Sequence, residues 1–300
     1  MIKGLPNFCG NEENTLFIIG NGFDLAHGIM SKYKHFYCWL VLNGYEDYAD
    51  CLQEMFPKLD KRTDFLWSNF ESALEDIDLQ FLFKKYVPYP NDVWDGNEWN
   101  KNISLGSNHV KDVIDRIPLL LKEWASNINI DVNPIFPTLS PESKYLTFNY
   151  TLTLENVYNI PEENICHIHE KITSKSDLII GFDSPKFINN HPAEIDDEER
   201  AYAQFTKLQN TLVKPKLQQI EKYRSFFSSL SNINTIIVIG HSLSWVDLRY
   251  FSEIKRSIIG NAKWYFSTYQ QEDYARVLSF VKPARLQPNY IKKFDFCDLS

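Results

Sequence analysis

The sequence predicts an α/β protein: a parallel sheet covered by helices on both faces, with a large helical insertion after the first βα unit. Three observations carry this expectation. Short apolar runs such as Thr15–Ile19 and Thr235–Ile239 lack the polar alternation of a half-exposed strand, as parallel strands buried on both sides do. They alternate with segments whose apolar residues recur every three or four positions, the stripe of an amphipathic helix. From about Phe36 to Ser140 the strand signals vanish while helical stripes persist. The expected organisation is an α/β domain from 14–35 and 141–300, with a helical insertion at 36–140.

The first run ends at Gly20, where Gly20-Asn21-Gly22 breaks the chain, and a helical pattern follows through about Leu42. In the insertion, Phe65, Leu66, Phe70, Leu74 and Ile77 form one stripe; Val110, Val113, Ile114, Ile117, Leu121, Trp124 and Ile128 form another. Between them, 87–107 is rich in Pro, Asn, Gly and Trp and reads as a loop. Pro118 is expected to kink or break the second helix, because proline lacks the amide hydrogen and its ring strikes the preceding turn. After Pro141 strands are expected at 145–148, 165–169, 178–180, 235–239, 262–267 and 290–296. Helices are expected at 151–158, 201–230, 245–258 and 270–280, the second preceded by the acidic run Glu194 to Glu199. The strands at 16–19, 145–148 and 235–239 should be parallel neighbours, because the motifs at their ends need to meet.

Composition narrows the function. Apolar residues make up 44% and charged residues 23%, which excludes wholesale disorder. Lysine and arginine total 31 against 39 acidic residues, a net charge of -8. Such a chain lacks the positive surface that non-specific nucleic-acid binding or an acidic membrane requires. No apolar run approaches the ~18 residues of a membrane span. Residues 1–10 carry one lysine and no long apolar stretch, so no signal peptide is expected. Cys9, Cys38, Cys51, Cys166 and Cys297 are odd in number and form no C-x-x-C pair; reduced thiols in a cytoplasm are expected.

Four motifs carry chemistry, all at expected carboxyl ends of strands, the edge where open α/β sheets bind ligands. Gly20-Asn21-Gly22-Phe23-Asp24 opens a helix. Its glycines let backbone approach a phosphate over free helix N–H groups, although the third glycine of G-x-G-x-x-G is Leu25. Asp24 puts negative charge where a phosphate would sit, and otherwise reads as a helix cap. Asn149, in Thr147-Phe148-Asn149-Tyr150-Thr151, can hold a ribose hydroxyl or a water, or cap a helix. In Cys166-His167-Ile168-His169-Glu170 the two histidines share one strand face. They suit a structural pair or a general base; a zinc site needs three or four ligands, and no further histidine has a fixed spacing to them. Gly240-His241-Ser242-Leu243-Ser244 departs from the G-x-S-x-G nucleophile elbow at its last residue, and Ser244 or Asp247 reads as a cap.

The run Leu16-Phe17-Ile18-Ile19-Gly20-Asn21-Gly22-Phe23-Asp24-Leu25-Ala26-His27-Gly28 resembles the opening motif of the bacteriophage abortive-infection AbiH family. Phe148-Asn149-Tyr150-Thr151, His167-Ile168-His169 and Gly240-His241-Ser242-Leu243-Ser244 resemble that family's later motifs in the same order. A more distant resemblance is to sirtuin-like NAD-binding domains: the spacing from Gly20 to Gly28-Ile29, Asn149 in the place of the sirtuin asparagine, and His169 in the place of its catalytic histidine. Asp24, Met30, Thr151 and Glu170 depart from that pattern, and the zinc-ribbon cysteine pairs are missing, which argues against protein deacylation.

These resemblances imply a Rossmann-like (sirtuin-like) sheet and an antiviral abortive-infection protein that binds NAD, as substrate or ligand, and acts as an NADase on the nicotinamide–ribose bond without metal. Gly20, Asn21, Gly22, Phe23 and Gly28 would line the phosphate side, and Gly240, His241 and Ser242 the adenosine side. Asn149 would orient ribose or water, His169 would act as general base or hold a ribose hydroxyl, and Asp24 would face developing positive charge. A phage-derived trigger and a homo-oligomer are compatible with this reading; membrane and nucleic-acid partners are not expected. Two other classes compete: a nucleotide-sensing module without turnover, which Glu170 favours, and a metal-dependent nuclease or hydrolase built on His167, His169 and Asp183.

Overall fold

The computed structural model describes residues 12–59, 62, 67–91, 95–136, 139–188, 196–268, 275–279 and 291–295. The chain divides into two compact units, one of residues 1–31, 125–178 and 215–300, the other of 32–124 and 179–214.

Among the described residues the first unit holds a six-stranded, all-parallel sheet: β1 (Thr15–Ile19), β2 (Lys144–Thr147), β3 (Ile165–His167), β4 (Thr235–Ile239), β5 (Lys263–Thr268) and β6 (Ile291–Asp295), in the order β3-β2-β1-β4-β5-β6. β1 pairs with β2 on one side and β4 on the other, Ile19 opposite Thr147 and Ile239. The order reverses between β1 and β4, the switch point at which the carboxyl ends of neighbouring strands leave room for a ligand.

Every residue of β1 is buried, and side chains alternate between two cores. Leu16, Ile18, Leu146, Cys166, Ile236, Val238, Trp264 and Phe266 face one cluster, which Phe227, Tyr250, Phe251 and Ile254 complete. Phe17, Ile19, Tyr145, Ile165, Ile237, Ile239 and Tyr265 face the other, with Phe23, Phe136 and Leu154. Burial on both sides is why these strands carry no polar alternation, and each large apolar side chain so buried contributes about 1.5–3 kcal/mol. Helices α1 (Asn21–Ala26) and α7 (Thr153–Tyr158) supply the second cluster; α10 (Arg224–Ser228) and α11 (Leu248–Ser257) supply the first, with partly buried Ile220 of α9 (Lys216–Lys222) packed against it.

In the second unit, α2 (Tyr33–Leu42), α3 (Glu46–Met55), α4 (Phe70–Ala73), α5 (Leu79–Tyr86) and most of α6 (Gly96–Ser126) are joined by α8 (Asp197–Gln209). Phe36, Trp67, Phe70 and Trp124 form an aromatic knot with ring centroids 5.0–6.0 Å apart.

Several expected elements differ. The helix after Gly22 divides at Gly28, whose φ of 77° is left-handed. α6 starts at Gly96, inside the expected loop, and runs unbroken through Pro118. Its stripe Val110, Val113, Ile114, Ile117, Leu121 and Trp124 is buried, and that burial exceeds the ~3 kcal/mol a proline costs a helix. Segment 178–180 is not a strand; its neighbour Phe182 makes only an isolated bridge to Val213. The expected 201–230 helix is three: a 3-10 turn at Asn210–Leu212 and Pro215, which has no amide to donate, separate the first two, and the second break falls at Tyr223. β3 stops at His167, two residues early, because the chain turns: the Glu170 amide donates to the His167 carbonyl and Glu170 takes a φ of 66°. Of the helix expected at 270–280 only 275–279 falls within the described residues, and it is helical.

Candidate functional site

At the carboxyl edge of the sheet the turn after β1 crosses the turn after β4. The Gly20 amide donates to Ile239 (2.9 Å) and the Gly22 amide to the Gly240 carbonyl (2.8 Å). A Cβ on Gly20 would lie 2.5 Å from the His241 Cα, one on Gly22 would lie 2.7 Å from the Gly240 Cα, and one on Gly240 would overlap the Phe23 amide nitrogen. Gly240 also has a φ of 64°. The glycines therefore let two backbones touch. The same crossing uses the Gly22 amide, one of the helix N–H groups expected to face a phosphate, and the Phe23 amide donates to Gly20.

Asn149 closes this crossing from β2, its Nδ2 donating to the Gly20 carbonyl at 3.3 Å. On the α1 and α7 side lies Asp24. Gly20, not Asp24, is the N-cap of α1, so Asp24 sits one turn into the helix and its carboxylate points at α7, accepting from Thr151 Oγ1 (2.6 Å) and Thr153 Oγ1 (2.9 Å). Burial pushes the Asp24 carboxyl up, against the hydrogen bonds of Thr151, Thr153 and Asn149 and the charge of His167.

His167 faces the same side. Its Nδ1 lies 3.2 Å from the Asn149 carbonyl and its Nε2 3.0 Å from Glu155 Oε1. Burial alone would raise Glu155; the hydrogen bond and charge of His167, with Lys171, hold it below the usual carboxylate range.

His169 turns to the opposite face, where its ring packs on Phe148 (5.1 Å) and Tyr250 (5.9 Å). His241 also packs on Phe148 (4.3 Å) and on Phe251 (5.2 Å). Asp247 lies between the histidines, Oδ1 3.4 Å from His169 Nε2 and Oδ2 3.5 Å from His241 Nε2. The two histidines of the H-x-H motif thus do not share a face, because the strand periodicity ends with the strand.

A family model for bacteriophage abortive infection AbiH matches residues 16–268. The chain belongs to the AbiH family. No curated protein and no solved structure matches it. The matched span of this AbiH chain runs from β1 to the end of β5 and contains every motif described above.

The AbiH edge joins Gly20, Gly22, Gly240 and Asn149 by direct contact, with His241 against Gly20. Asp24 and His169 fall into separate groups on the two sides of that contact. The Phe23 side chain is core, stacked on Phe136 at 5.1 Å, so only its backbone reaches the turn. Asn21 is exposed and tied to Ser31; Gly28 has open space around it; Ser242 is exposed. Sequence reasoning passed over Glu155, Thr153 and the histidine-facing role of Asp247. The signal for Asp247 was its place seven residues after Gly240, where it was read as a cap; its side chain makes no cap bond.

Among the described residues no group of three or more His, Cys, Asp or Glu side chains is arranged to hold a metal. His167 faces Glu155, His169 faces Asp247, and Asp183 accepts from Ser184 in the second unit. Cys38, Cys51 and Cys166 are free thiols; Cys9 and Cys297 lie outside the described residues. No described helix is long and apolar enough to cross a membrane.

Proposed function

We propose that this abortive-infection protein binds NAD or a related nucleotide at the carboxyl edge of β1, β2 and β4 and hydrolyses it at the nicotinamide–ribose bond. The observation that carries the reading is the crossing of two glycine turns at the switch point of a β3-β2-β1-β4-β5-β6 sheet, the strand order of Rossmann-type dinucleotide-binding folds. The sequence resemblance of Asn149 and His169 to the sirtuin asparagine and histidine supports the choice of nucleotide.

In this reading, exposed Asn21 and Ser242 flank the phosphates and Asn149 orients the ribose or the attacking water. His169 takes a proton from that water as its oxygen bonds to the ribose C1′. The C1′–N bond breaks with its electron pair passing to the nicotinamide ring, which leaves neutral; ADP-ribose and one proton complete the balance. The developing oxocarbenium is the charge to be stabilised, as in glycoside hydrolysis. Asp24, held by Thr151 and Thr153 and 1% exposed, acts on it through its field and by fixing α7.

One observation favours a second reading, sensing without turnover: His169 and Asn149 are only 3% and 7% exposed. Incubating the purified protein with NAD, with and without extract of phage-infected cells, and measuring free nicotinamide alongside calorimetric binding separates the two. Nicotinamide release is expected. Binding without release establishes the sensor, and neither binding nor release overturns the nucleotide reading.

A further inference from the structure

The two turns that cross at the carboxyl edge of the sheet each lead to an exposed apolar side chain. After β1, Met30 is 68% exposed; after β4, Trp245 is 61% exposed. Single exposed apolar residues are ordinary on any protein surface. These two are held out by backbone that is tied down on either side of them.

Met30 is the tip of a three-residue turn, closed by the Ser31 amide donating to the Ile29 carbonyl at 2.9 Å. Ile29 is buried, and its amide donates to the Asp24 carbonyl at 3.1 Å. Ser31 is bonded twice to Asn21: its Oγ donates to Asn21 Oδ1 at 2.5 Å, and its carbonyl accepts from Asn21 Nδ2 at 3.0 Å. Asn21 directly follows Gly20, so these bonds pin the Met30 turn to the crossing. Trp245 opens a 3-10 turn, Trp245–Asp247, which Ser244 caps by accepting from the Val246 amide. Leu243, Val246 and Asp247 are buried. The Leu243 amide donates to His241 Nδ1 at 2.9 Å, and Leu243 adopts a left-handed φ of 54°, backbone strain of the kind that collects at ligand sites. With those neighbours committed to the interior, the indole is left in solvent. Its loop starts at Gly240 and His241, the residues that meet Gly22 and Gly20.

We infer that Trp245 is a base-stacking residue that takes the adenine ring of the nucleotide, with Met30 as the apolar contact from the β1 loop. The inference rests on the proposed nucleotide site and supplies what that site lacks. The crossing turns and Asn149 offer backbone and polar groups to phosphate and ribose but no surface to a base. An indole presents a rigid π face on which a flat base stacks, and a thioether adapts to an aromatic ring. Adenine rather than nicotinamide follows from the strand order. Asn149 and His169, assigned to the reacting ribose, follow β2 and β3 on one side of β1, whereas Trp245 follows β4 on the other. A dinucleotide whose reacting end lies over β2 and β3 runs its other base toward β4.

The experiment is calorimetric titration of the full chain with ADP-ribose, which carries adenine and lacks nicotinamide, and with nicotinamide mononucleotide, which carries the other ring. Wild type, Trp245→Ala, Trp245→Phe and Met30→Ala are compared. Trp245→Ala should weaken ADP-ribose roughly 5- to 150-fold, the scale of one lost base–aromatic stack. Trp245→Phe keeps a stacking ring and should recover most of that loss, and Met30→Ala should lose less than Trp245→Ala. Thermal midpoints should stay at the wild-type value, because both side chains are exposed. Nicotinamide mononucleotide should bind all four proteins alike; its cationic ring is also attracted to an indole face, so this arm decides which base Trp245 takes. Unchanged ADP-ribose affinity in Trp245→Ala, an equal loss in Trp245→Phe, or a greater loss for nicotinamide mononucleotide overturns the inference and leaves the nucleotide reading standing. A wild type that binds neither compound overturns the nucleotide reading and the inference with it.

Discussion

Substituting alanine at Gly240 tests the backbone crossing that assembles the site. Two penalties act there. The φ of 64° places any Cβ against a carbonyl oxygen, at about 1–2 kcal/mol. The new methyl also overlaps the Phe23 amide and Gly22, backbone that cannot rotate away, and overpacking of that kind costs about 1–3 kcal/mol. Gly240→Ala should therefore lose about 2–5 kcal/mol, or roughly 5–15 °C in Tm for a chain of this size. Gly28→Ala is the control. Its φ of 77° imposes the same conformational penalty, but nothing lies within 4 Å of the added Cβ, so its loss should stop at about 1–2 kcal/mol. Gly22→Ala, with the clash but helical backbone, should fall between them. Urea denaturation with a common slope measures all three. If Gly240→Ala loses no more than Gly28→Ala, the turns do not touch and the argument for a built site collapses.

Two further outcomes follow from the carboxylates. Asp24 has a folded pKa above its ordinary 3.8, through burial. Its stabilising contribution is therefore full below pH 3.8 and lost as pH rises through the folded value. Asp24→Asn should match or exceed wild-type stability at pH 7, lose that advantage in acid, and, on the proposed hydrolysis, lower NAD cleavage roughly a hundredfold; a wild type clearly more stable at pH 7 refutes this. Glu155 has the opposite sign: its folded pKa lies below its ordinary 4.5, so its contribution is present above that pH and lost as pH falls through the folded value. Glu155→Gln should cost about 1–2 kcal/mol at pH 7, the scale of a charge-assisted hydrogen bond, and progressively less in urea melts below about pH 4; a pH-independent loss would show that the charge is not what matters.

The pieces of the fold legible in the sequence are those set by local burial. β1, β2 and β4 announce themselves because both faces of each are buried, which leaves uninterrupted apolar runs. The same rule misled at 178–180, whose apolar residues are buried without a strand partner: burial is a local signal and pairing is not. Pro118 was read by a local rule that the packed stripe of α6 overrides. The site divides the same way. The motifs at strand ends were visible, but Asp24 looked like a cap because capping is the contact a short window can see, whereas its partner Thr151 is 127 residues away. His167 and His169 looked like one pair because period two holds only while the strand lasts. Asp247 could not be seen as a bridge until the loops after β3 and β4 were placed side by side.

Glu170 shows how a non-glycine residue can hold a left-handed turn. It follows His169 in the turn after β3, and it adopts the left-handed φ, 66°, that favours glycine. The strain of about 1–2 kcal/mol is borne by a side chain that is 3% exposed and ion-paired with Lys222. Since Lys222 is 44% exposed, that pair contributes at most about 1 kcal/mol. Glu170→Gly recovers the strain and loses the pair and some backbone entropy, about 0.5–1 kcal/mol, so its stability should stay within about 1 kcal/mol of wild type. Glu170→Ala loses the pair and keeps the strain, and should be less stable than Glu170→Gly by about 1 kcal/mol. Equilibrium unfolding of the two variants side by side decides the matter. Alanine as stable as glycine would mean that the turn beside His169 relaxes away from the left-handed region. The histidine's orientation toward Asp247 would then depend on the glutamate itself rather than on the backbone.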